Sequence, residues 1–330
     1  MKKFIIAVIL LLGIIFIIGS VSELRDIGRI LSQGNLWYLL LAIGIEILWL
    51  FVFGASFQTF FRLVGIEKKL LPFTRLVAAV NFVNIVAPSA GVSGLAVLYA
   101  DASRNSYSSA RVTVGSLLFI LFDYLGLLSV IFIGLIILFT RNTLNFADIV
   151  AFLLFLVLVI ALAGVLILAS RSESRLFRFA SFLAGIFNRI ISIFTKRETI
   201  SKAKVGEFSR EIVEGIQALK HVRRGWMRPL WLTLTNKFLL VSILGIMFLA
   251  FRVPTNLGVV IAGFSIANLF AIISPTPAGV GIVEGVMTLS LKSLATPLEA
   301  SVVVTLAYRA ITFWFPLLLG MVSFHTLNHD

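Results

Sequence analysis

Apolar residues run along this chain in long blocks, with the polar residues gathered in the gaps between them. Through most of the chain there is neither the two-residue alternation of a half-buried strand nor the one-sided stripe of a soluble helix. Blocks that are apolar on every side are the pattern of helices whose surroundings are themselves apolar. Full spans are predicted over Phe4–Ile18, Leu36–Arg62, Val112–Thr140, Ala147–Ala169, Pro229–Phe251 and Leu298–Phe324. The first follows Met1-Lys2-Lys3 and shows no small-x-small cleavage pattern, so it reads as an uncleaved helix with its N-terminus inside.

Two further blocks are interrupted. Within Leu257–Leu294 lies Ser274-Pro-Thr-Pro-Ala-Gly-Val-Gly-Ile-Val-Glu-Gly285. Pro275 and Pro277 lack a backbone N–H, and Gly279, Gly281 and Gly285 permit positive φ, so no continuous helix is expected here. Within Pro72–Tyr99, the stretch from Asn81 and Asn84 through Pro88, Gly91 and Gly94 is broken in the same way. Such breaks are tolerated at membrane depth only where the freed backbone groups are buried in protein or line a wet cavity. Arg75, Arg104 and Arg111 flank the first break on both sides, which favours a hairpin that enters and leaves from the cytoplasm. If the second break also turns the chain back, its hairpin is entered from outside and the C-terminus is inside.

Span, broken hairpin and span with a central charge follow one another from Leu36 to Thr140 and again from Pro229 to Phe324. Asp123 follows Gly91 by 32 positions, and Arg309 follows Gly279 by 30. With opposite starting polarity, the two units would form an inverted repeat, as in many secondary transporters. The expectation is an all-α polytopic membrane protein, with about six spans and two re-entrant hairpins, in one domain over residues 1–330. Its halves would be residues 4–170 and 229–325.

Composition excludes a soluble domain: 59% of residues are hydrophobic and only 13% charged, with a mean hydropathy of +1.06. Charge changes the picture further. Of a net +13, residues 171–228 supply +8, from thirteen basic residues against five Glu. That excess marks a cytoplasmic region facing anionic headgroups and argues against nucleic-acid binding. Phe177–Phe194 mixes apolar and basic residues, as expected of a helix in the headgroup layer, and Val205, Phe208, Ile212, Ile216 and Leu219 step at three or four residues, the spacing of an amphipathic helix. There is no cysteine, and His221, His325 and His329 have no partner at metal spacing, so neither a metal nor a cofactor is expected.

The candidate chemistry is a set of intramembrane charges, which are functional by default but usually paired. A half-helix N-terminus beside Gly279 and Gly281 suits a phosphate, and Arg309 would clamp it. Glu284, with Asp123 or Glu46, would receive a cationic headgroup amine or carry a proton. The bland readings are an ion pair of Arg309 with Asp123 or Glu284, a hydrogen bond from Glu46 to a neighbouring helix, and Lys237 snorkelling to the inner interface.

The stretch Pro275 to Gly285, the segment Tyr308-Arg309-Ala-Ile-Thr-Phe-Trp314-Phe-Pro316, and Asn84 with Pro88-Ser-Ala-Gly91 resemble the lysylphosphatidylglycerol synthase transmembrane, or flippase-like, family over nearly the whole chain. The resemblance implies a module that moves aminoacylated phospholipid, or lipids related to polyprenol-linked sugars, across the cell membrane. The synthases carry a soluble transferase-like domain after the membrane region, whereas this chain ends at Asp330, so aminoacyl transfer is not implied. Gly94-Leu-Ala also lacks an acid matching Glu284. The first expectation is therefore a lipid transporter and not an enzyme. The alternative is an accessory partner of a lipid- or glycan-modifying membrane enzyme, docking through its basic region.

Overall fold

The computed structural model describes residues 28–86, 92–191, 201–217, 219, 227–274, 276 and 279–329. The span expected at Phe4–Ile18, together with Pro88, Gly91, Pro275 and Pro277, lies outside them. Every regular element among the described residues is helical. The first half comprises α1 (Leu36–Leu63), the hairpin α2 (Leu70–Val86) and α3 (Val92–Arg104), and α4 (Ser109–Thr140). It is followed by α5 (Phe146–Arg171), then α6 (Glu173–Ile191) and α7 (Lys202–Gln217). The second half comprises α8 (Met227–Ala250), the hairpin α9 (Leu257–Ile273) and α10 (Ile282–Ser293), and α11 (Leu298–Arg309). A π-helical turn, Ala310–Trp314, joins α11 to α12 (Phe315–His329).

Five of these segments are long and apolar enough to cross a bilayer: α1, α4, α5, α8 and the α11–α12 rod. Leu40, Leu48, Phe132, Leu154 and Ile160 are exposed on their outer faces, an apolar surface that water would not tolerate but lipid matches. The protein is a multi-pass membrane protein.

Both hairpins fold back on themselves. The mouth of the first is tied by Lys68 Nζ to Asp101 Oδ1 at 2.5 Å and by Tyr107 Oη donating to the Glu67 carbonyl at 3.1 Å. In the second, a Cβ on Gly263 would lie 2.6 Å from Leu291, so the two arms run closely side by side. Gly279 and Gly281 take φ of +73° and +81° at the turn into α10. Gly94 and Gly285, read above as breaks, lie inside helices. Gly94 makes room instead: a Cβ there would sit 2.6 Å from the Asn84 amide, which accepts the Gly94 N–H at 2.7 Å.

The halves pack as an inverted pair. The Asn35 N–H meets the Ala250 carbonyl at 2.9 Å, and Trp49 Nε1 donates to Asn236 Oδ1 at 2.9 Å, so α1 and α8 run antiparallel. Trp49 and Asn236 are 187 positions apart, the same offset that separates Leu63 from Ala250 and Leu70 from Leu257. Their hydrogen bond therefore joins equivalent positions, on the pseudo-two-fold axis. The exchange continues outward, with α9 packed on α4 and α2 on α12. At these crossings Gly134 faces Ser265 and Gly320 faces Ala78; Ser265 and Ala78 are each the ninth residue of their helix. Small residues let the backbones approach where lipid gives no hydrophobic drive for association. The α6 and α7 helices lie on the side of the first hairpin's mouth: Gly215 sits against the Ala110 carbonyl, and Thr113 meets Glu211.

Candidate functional site

The described ends of the two hairpins meet on the π turn. Ile85, at the end of α2, packs with Ala310, Phe313 and Trp314 of the π turn, and Val280 from the second tip joins them. The turn has a local cause: Pro316 offers no N–H to the helix ladder, and the Phe315 N–H reaches back five residues to the Ala310 carbonyl. Its effect is to re-aim the rod just beyond Arg309.

Arg309 Nε lies 2.5 Å from Glu284 Oε1, and the two side chains are 10% and 12% exposed. The guanidinium stands 4.2 Å over the Phe313 ring, a cation–π contact that the π turn makes. The other Glu284 oxygen, Oε2, accepts the Gly281 N–H at 2.7 Å. Glu284 therefore does two things at once: it neutralises Arg309 and caps the positive end of α10. A buried pair satisfied on both sides is electrically neutral, yet it sets an anion-binding guanidinium and a helix N-terminus against one carboxylate. Trp314 Nε1, in the same π turn, is buried with no hydrogen-bond partner among the described residues.

Asp123 is not part of this pair. It sits 186 positions before Arg309, the offset that also separates Gly134 from Gly320, so the two occupy equivalent places in the repeat. Its partner is Lys237 on α8, with Nζ to Oδ1 at 2.7 Å and exposures of 8% and 19%. Lys237 thus turns inward and does not snorkel to the interface. Asp123 and Asn84 come together in a cavity of about 220 Å³ between α1, α2, α3 and α4, with Asn81, Ser116 and Tyr124. A second cavity of about 400 Å³, mostly apolar, shares Leu95, Ser116 and Ile120 with it and reaches Tyr99 and Phe208 of α7. The two lie side by side between α7 and Asp123.

Glu46 joins neither group. It is 1% exposed on α1, and both carboxyl oxygens lack hydrogen-bond partners among the described residues. Sequence reasoning missed Lys237 as a partner, and it missed Asn81, Ser116, Tyr124, Phe313 and the π turn. Pro316 was the one local signal for the turn.

A family model described as the lysylphosphatidylglycerol synthase TM region matches residues 4–320. A UPF0104 membrane protein of Methanothermobacter thermautotrophicus is 23% identical over 325 residues, covering 97% of this chain and 93% of its own. Another UPF0104 membrane protein, from Methanocaldococcus jannaschii, is 21% identical over 333 residues, covering 98% and 95%.

Proposed function

The chain belongs to the family of the lysylphosphatidylglycerol synthase transmembrane region, and from that premise we propose that it is a lipid transporter without enzymatic activity. Its substrate is a phospholipid, aminoacylated or not, or a polyprenyl-phosphate-linked lipid. It sits in the cell membrane with its N-terminus and the basic α6 and α7 on the cytoplasmic side, against anionic headgroups.

The observation that carries this reading is the Glu284–Arg309 pair at the meeting of the two hairpin tips. A headgroup phosphate offers the same oxygens as Glu284 and competes for the same two positive partners, the guanidinium and the α10 N-terminus. Exchange of phosphate for carboxylate leaves Arg309 satisfied and frees Glu284 for a headgroup amine or a proton. The Trp314 N–H of the same turn, without a partner among the described residues, is a further donor. The adjoining cavities between Phe208 and Asp123 offer an amphipathic molecule mostly apolar walls, with Asn81, Asn84, Ser116 and Asp123 as the polar groups nearer the bundle interior.

Translocation of headgroup-labelled lipid in proteoliposomes tests this, with aminoacyl-phosphatidylglycerol and a polyprenyl-phosphate sugar as substrates. Activity abolished by both Glu284→Gln and Arg309→Ala supports transport through this site. A folded protein that moves neither lipid overturns it and favours the accessory-partner reading.

A further inference from the structure

Glu46 has no role in the site described above, yet it is almost fully buried in α1, and neither of its oxygens is hydrogen-bonded among the described residues. None of the salt bridges among those residues involves it. A carboxyl group buried without a partner is costly to keep, and inside a membrane protein it marks a function before it marks a fold.

The inverted repeat supplies a reason for its place. Positions on α8 correspond to positions on α1 at an offset of 187, and positions on the α11–α12 rod to positions on α4 at an offset of 186. Asp123 thus corresponds to Arg309, and its partner Lys237 corresponds to Leu50 on α1. Glu46 is four residues from Leu50 on the same helix, one turn away, about 6 Å at 1.5 Å per residue. The surroundings correspond as well. Gly126 sits against Thr233 and the Lys237 stem, and these three answer to Thr312, Glu46 and Leu50. Thr312 belongs to the π turn, against which α1 packs. Tyr308, the residue before Arg309, lies within electrostatic reach of Glu46. The first half therefore sets an acid on α4 against a base on α8, and the repeat carries the same relation with its signs reversed, a base on α11 and an acid on α1. The first pair is formed; in place of the second, Arg309 is bound to Glu284 of its own half.

We propose that Glu46 is the second carboxylate partner of Arg309: when Glu284 releases the guanidinium, Arg309 turns toward α1 and Glu46 receives it. Two acids for one buried base let that base change partners without standing unpaired in a low-dielectric interior. Glu46 is then a positioning residue, unpartnered in this conformation and paired in the other. The move gives up the Phe313 and Glu284 contacts, so loss of Glu284 still destabilises. The exchange of partners does not depend on the transport reading; only its use in moving a lipid does.

The test is thermal unfolding of the full chain in detergent micelles, with no lipid substrate present, for Glu46→Gln alone and combined with Glu284→Gln. In the wild-type background Glu46→Gln removes an acid without a partner and leaves Tm unchanged or raised. In the Glu284→Gln background it removes the acid to which Arg309 has turned and lowers Tm, so the same substitution changes sign. Glu46→Asp, which keeps the acid, lowers Tm less there. With Arg309→Gln added to Glu284→Gln, Glu46→Gln again leaves Tm unchanged or raised. A Glu46 with a purely structural role gives one sign throughout, and an effect of the same sign with and without Glu284 overturns the proposal. A double variant that fails to fold supports it if Arg309→Gln restores folding, and overturns it if folding is not restored.

Discussion

Replacing Glu284 by Gln removes one charge and little volume, and its effect can be worked from the geometry. Breaking a buried ion pair by removing one member costs about 3–5 kcal/mol, because the other charge stays buried and unpaired. Here both side chains are close to nine-tenths buried, so solvent relieves little of that. Among the contacts that survive, Phe313 still faces the guanidinium, worth about 0.5–2 kcal/mol, and the Gln oxygen can still accept the Gly281 N–H. The expected loss is about 3 kcal/mol. Arg309→Gln should cost less, since the carboxylate it leaves is held by the α10 N-terminus and Gly281 N–H, the helix charge adding about 0.3–1 kcal/mol. The double variant Glu284→Gln with Arg309→Gln carries neither charge and should be more stable than the sum of the singles predicts, with a coupling of about 1–3 kcal/mol. Denaturant titration in micelles, followed by circular dichroism, measures all four proteins. Single effects that simply add, within about 0.5 kcal/mol, would refute the pair as a stabilising contact.

The second ion pair gives a parallel expectation: Lys237→Met strands Asp123 and should destabilise by about 3 kcal/mol, with Asp123→Asn in the same chain restoring most of it, read by the same titration. At the helix crossings, Gly134→Val and Gly320→Val push side chains into Ser265 and the Ala78 carbonyl, and each should cost about 1–3 kcal/mol; a neutral result at both would contradict the close approach. Gly94→Ala should displace the Asn84 amide, lose its hydrogen bond to α3 and lower Tm, by about 1–2 kcal/mol in free energy. Glu46→Leu should raise Tm, because the carboxyl it replaces is buried without a partner among the described residues, worth about 1–3 kcal/mol; a fall in Tm would mean that Glu46 is held by a contact.

What the sequence by itself determined is what depends on local chemistry. Apolar blocks of span length, Pro and Gly breaks within two of them, and the basic stretch at 171–228 were enough for an all-helical membrane protein with two hairpins and amphipathic helices on one side. Even the inverted repeat was legible in the order of elements, and the Trp49–Asn236 contact between equivalent positions now anchors it. Which charges meet was decided only by tertiary structure. Asp123 and Arg309 are equivalent in the repeat but opposite in sign, and they find partners on different helices, Lys237 on α8 and Glu284 on α10. The same limit applied to the glycines. Composition cannot separate Gly281, which supplies a positive φ, from Gly94, which only clears space for Asn84. The reason is physical: backbone conformation and hydropathy are properties of neighbours along the chain. Partner choice, by contrast, depends on rotation and register between helices more than a hundred residues apart, and no spacing in one dimension encodes that.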